Sequence, residues 1–149
     1  MANTFPVCGS FNFLVEIEDL GGAGASVVGG FAQVSGLSST SDVIEYHSGA
    51  EPAAVKIPGR TRFGNIVLCK GVTNSNELYD WRRKIEAGDA DLRSGSIVLL
   101  DAAMKERARW NFYGGWPARY EGPLLDAEDS AIAVETLEIA VDRLERVAV

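Results

Sequence analysis

Apolar positions along this chain recur mostly at every second residue, in short runs separated by glycine-rich turns. Phe13, Val15 and Ile17 alternate with Asn12, Glu16 and Glu18, which predicts a half-buried strand over Asn12–Asp19. Past a flexible turn at Gly21–Ala25, Val27–Ser35 predicts a second strand, with Val28, Phe31 and Val34 apolar and a glycine pair that allows a bulge. Gly36 marks a bend, Leu37–Tyr46 a third strand and Asn65–Lys70 a fourth. Arg93–Asp101 and Glu106–Tyr113 form a predicted hairpin, with Ala108, Trp110 and Phe112 on one face. Gly114, Gly115 and Pro117 interrupt that run, and Trp116–Tyr120 continues it. The last strand, Ala131–Arg143, sets Ala133, Leu137, Ile139 and Val141 against Thr136, Glu138 and Asp142.

Between Gly71–Thr73 and Gly88 the period changes. Leu78, Trp81 and Ile85 fall at i, i+3 and i+7, one apolar stripe of a helix from about Ser75 to Ala87. Asn74 is placed to cap it, with Glu77 able to reach back to the cap amide. Arg82, Arg83 and Lys84 sit where positive charge suits the helix dipole, and Gly88 ends the helix. With seven or eight strands and one helix, the predicted fold is mainly β: a small barrel or sandwich of two packed antiparallel sheets, flanked by the helix with Trp81 as its anchor. His47–Arg62 reads as a long irregular connection between strands three and four. It carries Ala53, Ala54, Val55 and Ile57, which a free loop would leave in water, so it predicts an arm that packs on something else or a hairpin extending its neighbours.

The 149 residues suffice for one domain with its own core, and no internal repeat or linker divides them. Residues 1–11 show no period and read as a flexible N-terminus. Apolar content of 46% and charged content of 23% are those of a globular chain. A net charge of −7 argues against a surface that grips nucleic acid. Cys8 and Cys69, far apart, read as free thiols rather than a disulfide. No secretory signal precedes the first strand, and no apolar run approaches the roughly 20 residues of a membrane helix, so stable membrane insertion is not expected.

Catalytic chemistry finds little support. His47 is the single histidine, which with two distant cysteines cannot build a four-ligand zinc site, and beside glycine it reads as polar surface rather than a triad base. Gly21–Gly30 fits neither dinucleotide nor P-loop spacing. Glu16 and Glu18 read as a solvated strand face rather than paired glycosidase acids. Trp110, Phe112, Tyr113, Trp116 and Tyr120 are either core or a contact with another subunit.

The run GLSSTSDVIEYHSGAEPAAVKIPGRTRFGNIVLCKGVTNSNELYDWRRKI, followed by SIVLLD, RWNF, WPARYEGP and AIAVETLEIA, resembles the tail tube proteins of contractile-tailed phages and the inner tube proteins of phage-tail-like contractile injection systems. The resemblance runs from about Asn12 to Arg146 and rests on the ordered set of motifs. The chain departs from the pattern in an expanded turn at Gly21–Ser26 and in extra N-terminal residues. The resemblance implies a structural subunit without catalysis or cofactor, assembled in the bacterial cytoplasm. Six copies would form a ring with sheets joined edge to edge, and rings would stack into a hollow tube. A sheath would surround the tube, a baseplate and terminating cap would bound it, and cargo or DNA would pass through it. It further implies that the arm 47–62 makes contacts between subunits and rings, with Glu51, Pro52, Val55, Lys56 and Ile57 as candidates and Trp116 contributing. The polar strand faces turned away from the helix, Asn12, Glu16, Glu18, Thr136, Glu138 and Asp142, would line an acidic lumen. A carried effector and a tube-end cap remain the competing readings.

Overall fold

Alternation with period two sends every second side chain to one face of a strand, and here the inward sets of many strands meet in one core. The structure is a computed structural model that describes residues 12–18, 25–28, 31–50, 52–72, 76–128 and 132–148, of which 25–28 are described as backbone alone. The predicted N-terminal tail, Glu51 and Asn74 lie outside these residues. The elements, in order, are β1 (Phe13–Glu18), β2 (Ala25–Val28), β3 (Phe31–Ser35), β4 (Ser39–Tyr46), β5 (Val55–Phe63), β6 (Ile66–Gly71), α1 (Glu77–Glu86), β7 (Arg93–Leu100), β8 (Glu106–Glu121), β9 (Val134–Ala140) and β10 (Arg143–Val147).

The main sheet follows the order β2-β1-β7-β8-β9-β6-β3, with β10 also on β8, and all its pairings are antiparallel. The 16-residue β8 belongs to both layers of the resulting sandwich. Its first part, to Gly115, pairs with β7 and, over Arg109–Tyr113, with β10. Beyond the bend at Gly114 and Gly115, Trp116–Glu121 pairs with β9. One layer is therefore β2-β1-β7-β8-β10 and the other β8-β9-β6-β3. The path begins on β2 and ends on β3, strands only two residues apart in sequence. Among the described residues no pairing joins these two ends.

Between the layers lie Val15, Ile17, Ile97 and Phe112 from one side and Ile66, Leu68, Leu137 and Ile139 from the other. The helix closes the open side: Leu78 and Trp81 are buried in the same cluster. Trp81 Nε1 donates to the Asp91 carbonyl at 2.8 Å, so the ring is buried with its polar atom satisfied. Arg93 lies over that ring, 5.6 Å from its centre, and Arg82 donates to the Pro117 carbonyl at 3.0 Å, tying the helix to β8.

The helix is shorter than predicted. It begins at Glu77, and its cap position is Asn76, whose side chain makes no capping bond. The expected pairing of an Asn74 cap with Glu77 is thus not how it starts. The C-terminus follows the prediction: Gly88, at φ 87°, donates to Ile85 O and Asp89 donates to Lys84 O, a Schellman close that favours glycine.

Three further differences have one cause, the neighbours a strand finds across the fold. The predicted second strand is two, β2 and β3, on different layers. The predicted last strand is also two, because the chain turns at Val141-Asp142 and β10 leaves β9 to pair with the first half of β8. The connection 47–62 takes the hairpin alternative, but it is less irregular than expected: Val55–Phe63 is a strand that pairs with β4 in a separate two-stranded sheet. Pro58 and Gly59 disguised it, since proline supplies no ladder donor, and an edge position tolerates that loss.

Two predictions follow from the helix wedge. Trp81→Ala should cost about 3–5 kcal/mol of stability, read as a lower denaturant midpoint, because a buried ring leaves a cavity and an unpaired Asp91 carbonyl. The hydrogen bond from Arg93, opposed by burial and aided by the charges of Arg93 and Lys84, holds the Asp91 carboxyl below the usual carboxylate range. A depressed folded-state pKa stabilises above the unfolded value and ceases to do so as pH falls through the folded one. Asp91→Asn should therefore lower stability at pH 6 and differ progressively less from the parent as acid unfolding measurements pass below about pH 4.

Candidate assembly surfaces

The arm is built from the residues that flank its tip. β3 pairs with β6, and after a break the same two chain segments pair again as β4 and β5. The break is an elbow at Gly36–Ser38 and Gly64-Asn65. Gly36 sits at φ 84°, and a Cβ there would lie 1.9 Å from the Asn65 carbonyl oxygen, so only glycine fits. Ser38 O accepts from Gly64 N–H at 2.9 Å, which locks the elbow across the two segments. Along the arm, the Ser41 and Thr61 hydroxyls share a hydrogen bond of 2.8 Å, and Arg62 pairs with both carboxylate oxygens of Asp42 at 2.8 and 2.9 Å.

Every residue of β4 is exposed. Ile44 stands opposite Ile57, and Tyr46 opposite Val55, so four apolar side chains make one block on one face. They remain 53%, 44%, 58% and 47% exposed, respectively. On the other face Val43 stands opposite Pro58, and Glu45 opposite Lys56. Covering the remaining exposed area of such side chains is worth roughly 1 kcal/mol each. A two-stranded ribbon of this kind is marginal alone in water.

Of the predicted arm contacts, the structure brings Val55 and Ile57 onto the apolar block and Lys56 onto the other face, places Pro52 exposed at the tip, and does not describe Glu51. Trp116 lies elsewhere, half-buried at the start of the second half of β8. It borders a hollow of about 290 Å³ with Ile85, Ala90 and Leu92 at the C-terminal end of α1. Ile44 and Tyr46 were not among the expected contacts. The mirrored spacing, Ile44-x-Tyr46 before the tip and Val55-x-Ile57 after it, was their signal.

The lumen candidates separate onto different surfaces. Glu16 and Glu18 lie on the outer face of the β1–β7 layer, where Glu16 pairs with Arg109 at 2.9 Å and Arg109 also bonds Glu106. Those two carboxylates raise the Arg109 pKa further, so its guanidinium stays charged at any accessible pH. Ser96 donates to Asn111 at 2.7 Å in the same layer. The face also carries Arg107, Arg143 and Glu145, so its charge is mixed rather than acidic. Asn12 is tied to the end of β7, accepting from Leu100 N–H and donating to Asp101 O. Glu138 and Thr136 occupy the outer face of the other layer, where Glu138 accepts from Asn65 at 2.9 Å. Asp142 sits at the corner between β9 and β10, its carboxylate against Gly114.

The sheets end in open edges. Among the described residues, β2 pairs only with β1, β3 only with β6, and β10 only with β8. Past Gly115, β8 pairs only with β9. Such edges offer unpaired amides and carbonyls that another chain can complete. Among the described residues no group of three or more His, Cys, Asp or Glu could hold a metal ion, Cys69 is a free thiol, and no helix is long and apolar enough to cross a membrane.

The fold is shared with chains of known assemblies. The chain is similar over 97% of its length, at 29% identity and TM-score 0.85, to a chain of the sheath–tube complex of an extracellular contractile injection system (PVC) in its extended state, covering 93% of that chain. At 30% identity and TM-score 0.85 it is similar to a chain of the sheath/tube terminator of that system, over 99% of its own length and 100% of the other. At 28% identity and TM-score 0.87 it is similar to a chain in the tube-terminating cap of the anti-feeding prophage, over 100% and 95% of the two lengths. No curated protein matches it. Residues 9–145 match the family model of the T4-like virus tail tube protein gp19, and the chain belongs to that family.

Proposed function

We propose that this chain is the structural subunit of the rigid inner tube of a contractile, phage-tail-like particle. Six copies join through their open sheet edges into a ring, and rings stack into a hollow tube. A sheath surrounds the tube and drives it through a target envelope, with baseplate and cap at its ends and cargo or DNA in its bore. Assembly takes place in the cytoplasm of the producing cell. The whole chain acts as one tube domain, and its surfaces serve contact rather than catalysis.

The observation that carries this reading is the arm. Among the described residues nothing covers the apolar block of the hairpin, and the sheets it grows from end in unpaired edges. Both faults of an isolated subunit are repaired by copies of itself, and a head-to-tail contact that closes into a ring leaves no edge over. A tube-end ring or cap is the second reading, favoured by the equal likeness to terminator and cap structures. Negative-stain microscopy of purified protein separates the two: long hollow stacks for the tube subunit, single rings for the cap.

Replacing Val55 and Ile57 by Asp should leave a folded subunit that no longer polymerises, seen as a sharp monomer or single-ring boundary in sedimentation. Normal tubes from that variant would take the arm out of the interface. In a sandwich that forms a tube wall, one outer face meets the bore and the other the sheath. Glu18 and Glu138, on opposite layers, should then fall on opposite sides. Single-cysteine variants at these two positions, with Cys8 and Cys69 replaced by Ser, should differ in labelling by a bulky polyethylene glycol maleimide once tubes are capped. Equal labelling would contradict this orientation of the wall.

A further inference from the structure

The core is unfinished where β1 begins. A hollow of about 380 Å³ opens there between the two layers. Phe13, Ile97, Leu99 and Trp110 wall it from one layer, and Val34 of β3 and Leu37 of the elbow wall it from the other side. Ile97 is buried, but Phe13, Val34, Leu37 and Trp110 pack on the core only in part. Interiors are normally packed without voids of this size. Roughly 150 Å³ of apolar space is enough to hold a benzene ring, so the hollow has room for two.

The chain itself supplies an occupant. Residues 1–11, MANTFPVCGSF, lead into β1 and carry no charged side chain, while offering Phe5, Val7 and Phe11. The other stretches outside the described residues, 19–24, 29–30, 51, 73–75, 129–131 and 149, contain no aromatic residue. Asn12 fixes where the segment starts: its carbonyl accepts from Leu100 N–H at 2.9 Å, and its side-chain amide donates to the Asp101 carbonyl at 3.4 Å. The segment therefore departs one residue from Phe13, which is a wall of the hollow. Phe11 stands two positions before Phe13, and strand alternation assigns both to one face. Attachment adds to this chemistry. A tethered segment meets its site at a roughly millimolar effective concentration, which a free apolar ligand or a second copy has to exceed.

We infer that the N-terminal segment folds back on its own subunit and fills this hollow, with Phe11 and Phe5 as the two rings that enter it. The inference does not depend on the tube reading. A segment with no period of its own takes its conformation from the surface it covers, and here that surface is the open end of the core. Leu37 directly follows Gly36, the glycine of the elbow. A filled hollow therefore braces the root of the arm from inside the sandwich, and the segment acts as an intramolecular wedge. It also removes an open apolar site that is otherwise an association hazard.

The test uses the full chain with Cys8→Ser and Cys69→Ser, kept dilute. Phe5→Cys with Leu37→Cys, treated with a short bismaleimide, should close within one chain, seen as faster migration in a denaturing gel at unchanged chain number. Phe5→Cys with Leu92→Cys is the comparison, because Leu92 lies past the far end of β7, about 23 Å along the strand from Leu99. Closure to Leu37 should be about tenfold faster than closure to Leu92. Equal rates, or linked dimers in place of closed chains, would overturn the inference. A second measurement needs no cysteine pair. Phe11→Ser and Phe5→Ser should each lower the urea midpoint, while Asn3→Ser in the same segment leaves it unchanged. Phe11→Ser combined with Leu99→Ala should lower it by less than the sum of the two single changes, since both empty one site. Full additivity, or a midpoint indifferent to the phenylalanines, counts against the wedge. Tubes are scored separately by microscopy, so loss of the wedge with normal tubes removes this inference alone.

Discussion

The structure depends on a single strand that serves two layers. β8 runs 16 residues, pairs with β7 and β10 before the bend at Gly114-Gly115, and pairs with β9 after it. Its inward residues before the bend, Ala108, Trp110 and Phe112, face the first half of the core. Pro117 and Tyr120 face the second half. The helix fills the side that the bend leaves open, and it is fastened to the same strand through Arg82 and the Pro117 carbonyl. A sandwich made this way has a dry interior and two polar outer faces, and it keeps open edges on both layers. Those are the properties of a wall segment rather than of a self-contained globule.

The arm extends that logic along the strand axis. β3 and β6 continue through the glycine elbow into β4 and β5, so the hairpin leaves the body in a defined direction set by backbone hydrogen bonds. A flexible loop of the same length would lose more conformational entropy on docking than this ribbon does. The apolar block is thus presented ready-formed, and membership of the tail tube family gives the presentation its context. Chains of like fold are found in a sheath–tube complex, a sheath/tube terminator and a tube-terminating cap.

The mixed charge of the outer faces also has a physical reading. Arg109 between Glu16 and Glu106 makes a face that is polar yet internally neutralised. Such a face neither strongly attracts nor repels a charged polymer at physiological ionic strength, where exposed charges are screened over about 8 Å. Either role for this layer, toward bore or sheath, is served by a surface that does not stick.

Local alternation alone was enough to assign the inward faces of β1, β8 and β9, the position of the helix and the glycine that closes it. The direction of a side chain is settled by the backbone of its own strand or helix, and Trp81, Val15 and Ile139 could be placed on inward faces on that basis, whereas Phe112 was left open between core and subunit contact until the packing placed it in the core. Motif order was enough to identify the family, because it samples nearly the whole chain at once. Partnership between distant segments was not readable that way. That Val27–Ser35 divides between two layers, that β10 returns to β8, which of the two readings of 47–62 holds and that Glu16 and Glu138 face away from each other all depend on which strands meet. A strand's ladder partners are chosen by the whole fold, so these features, and the joining of Ile44 and Tyr46 to Val55 and Ile57, became visible only in the tertiary structure.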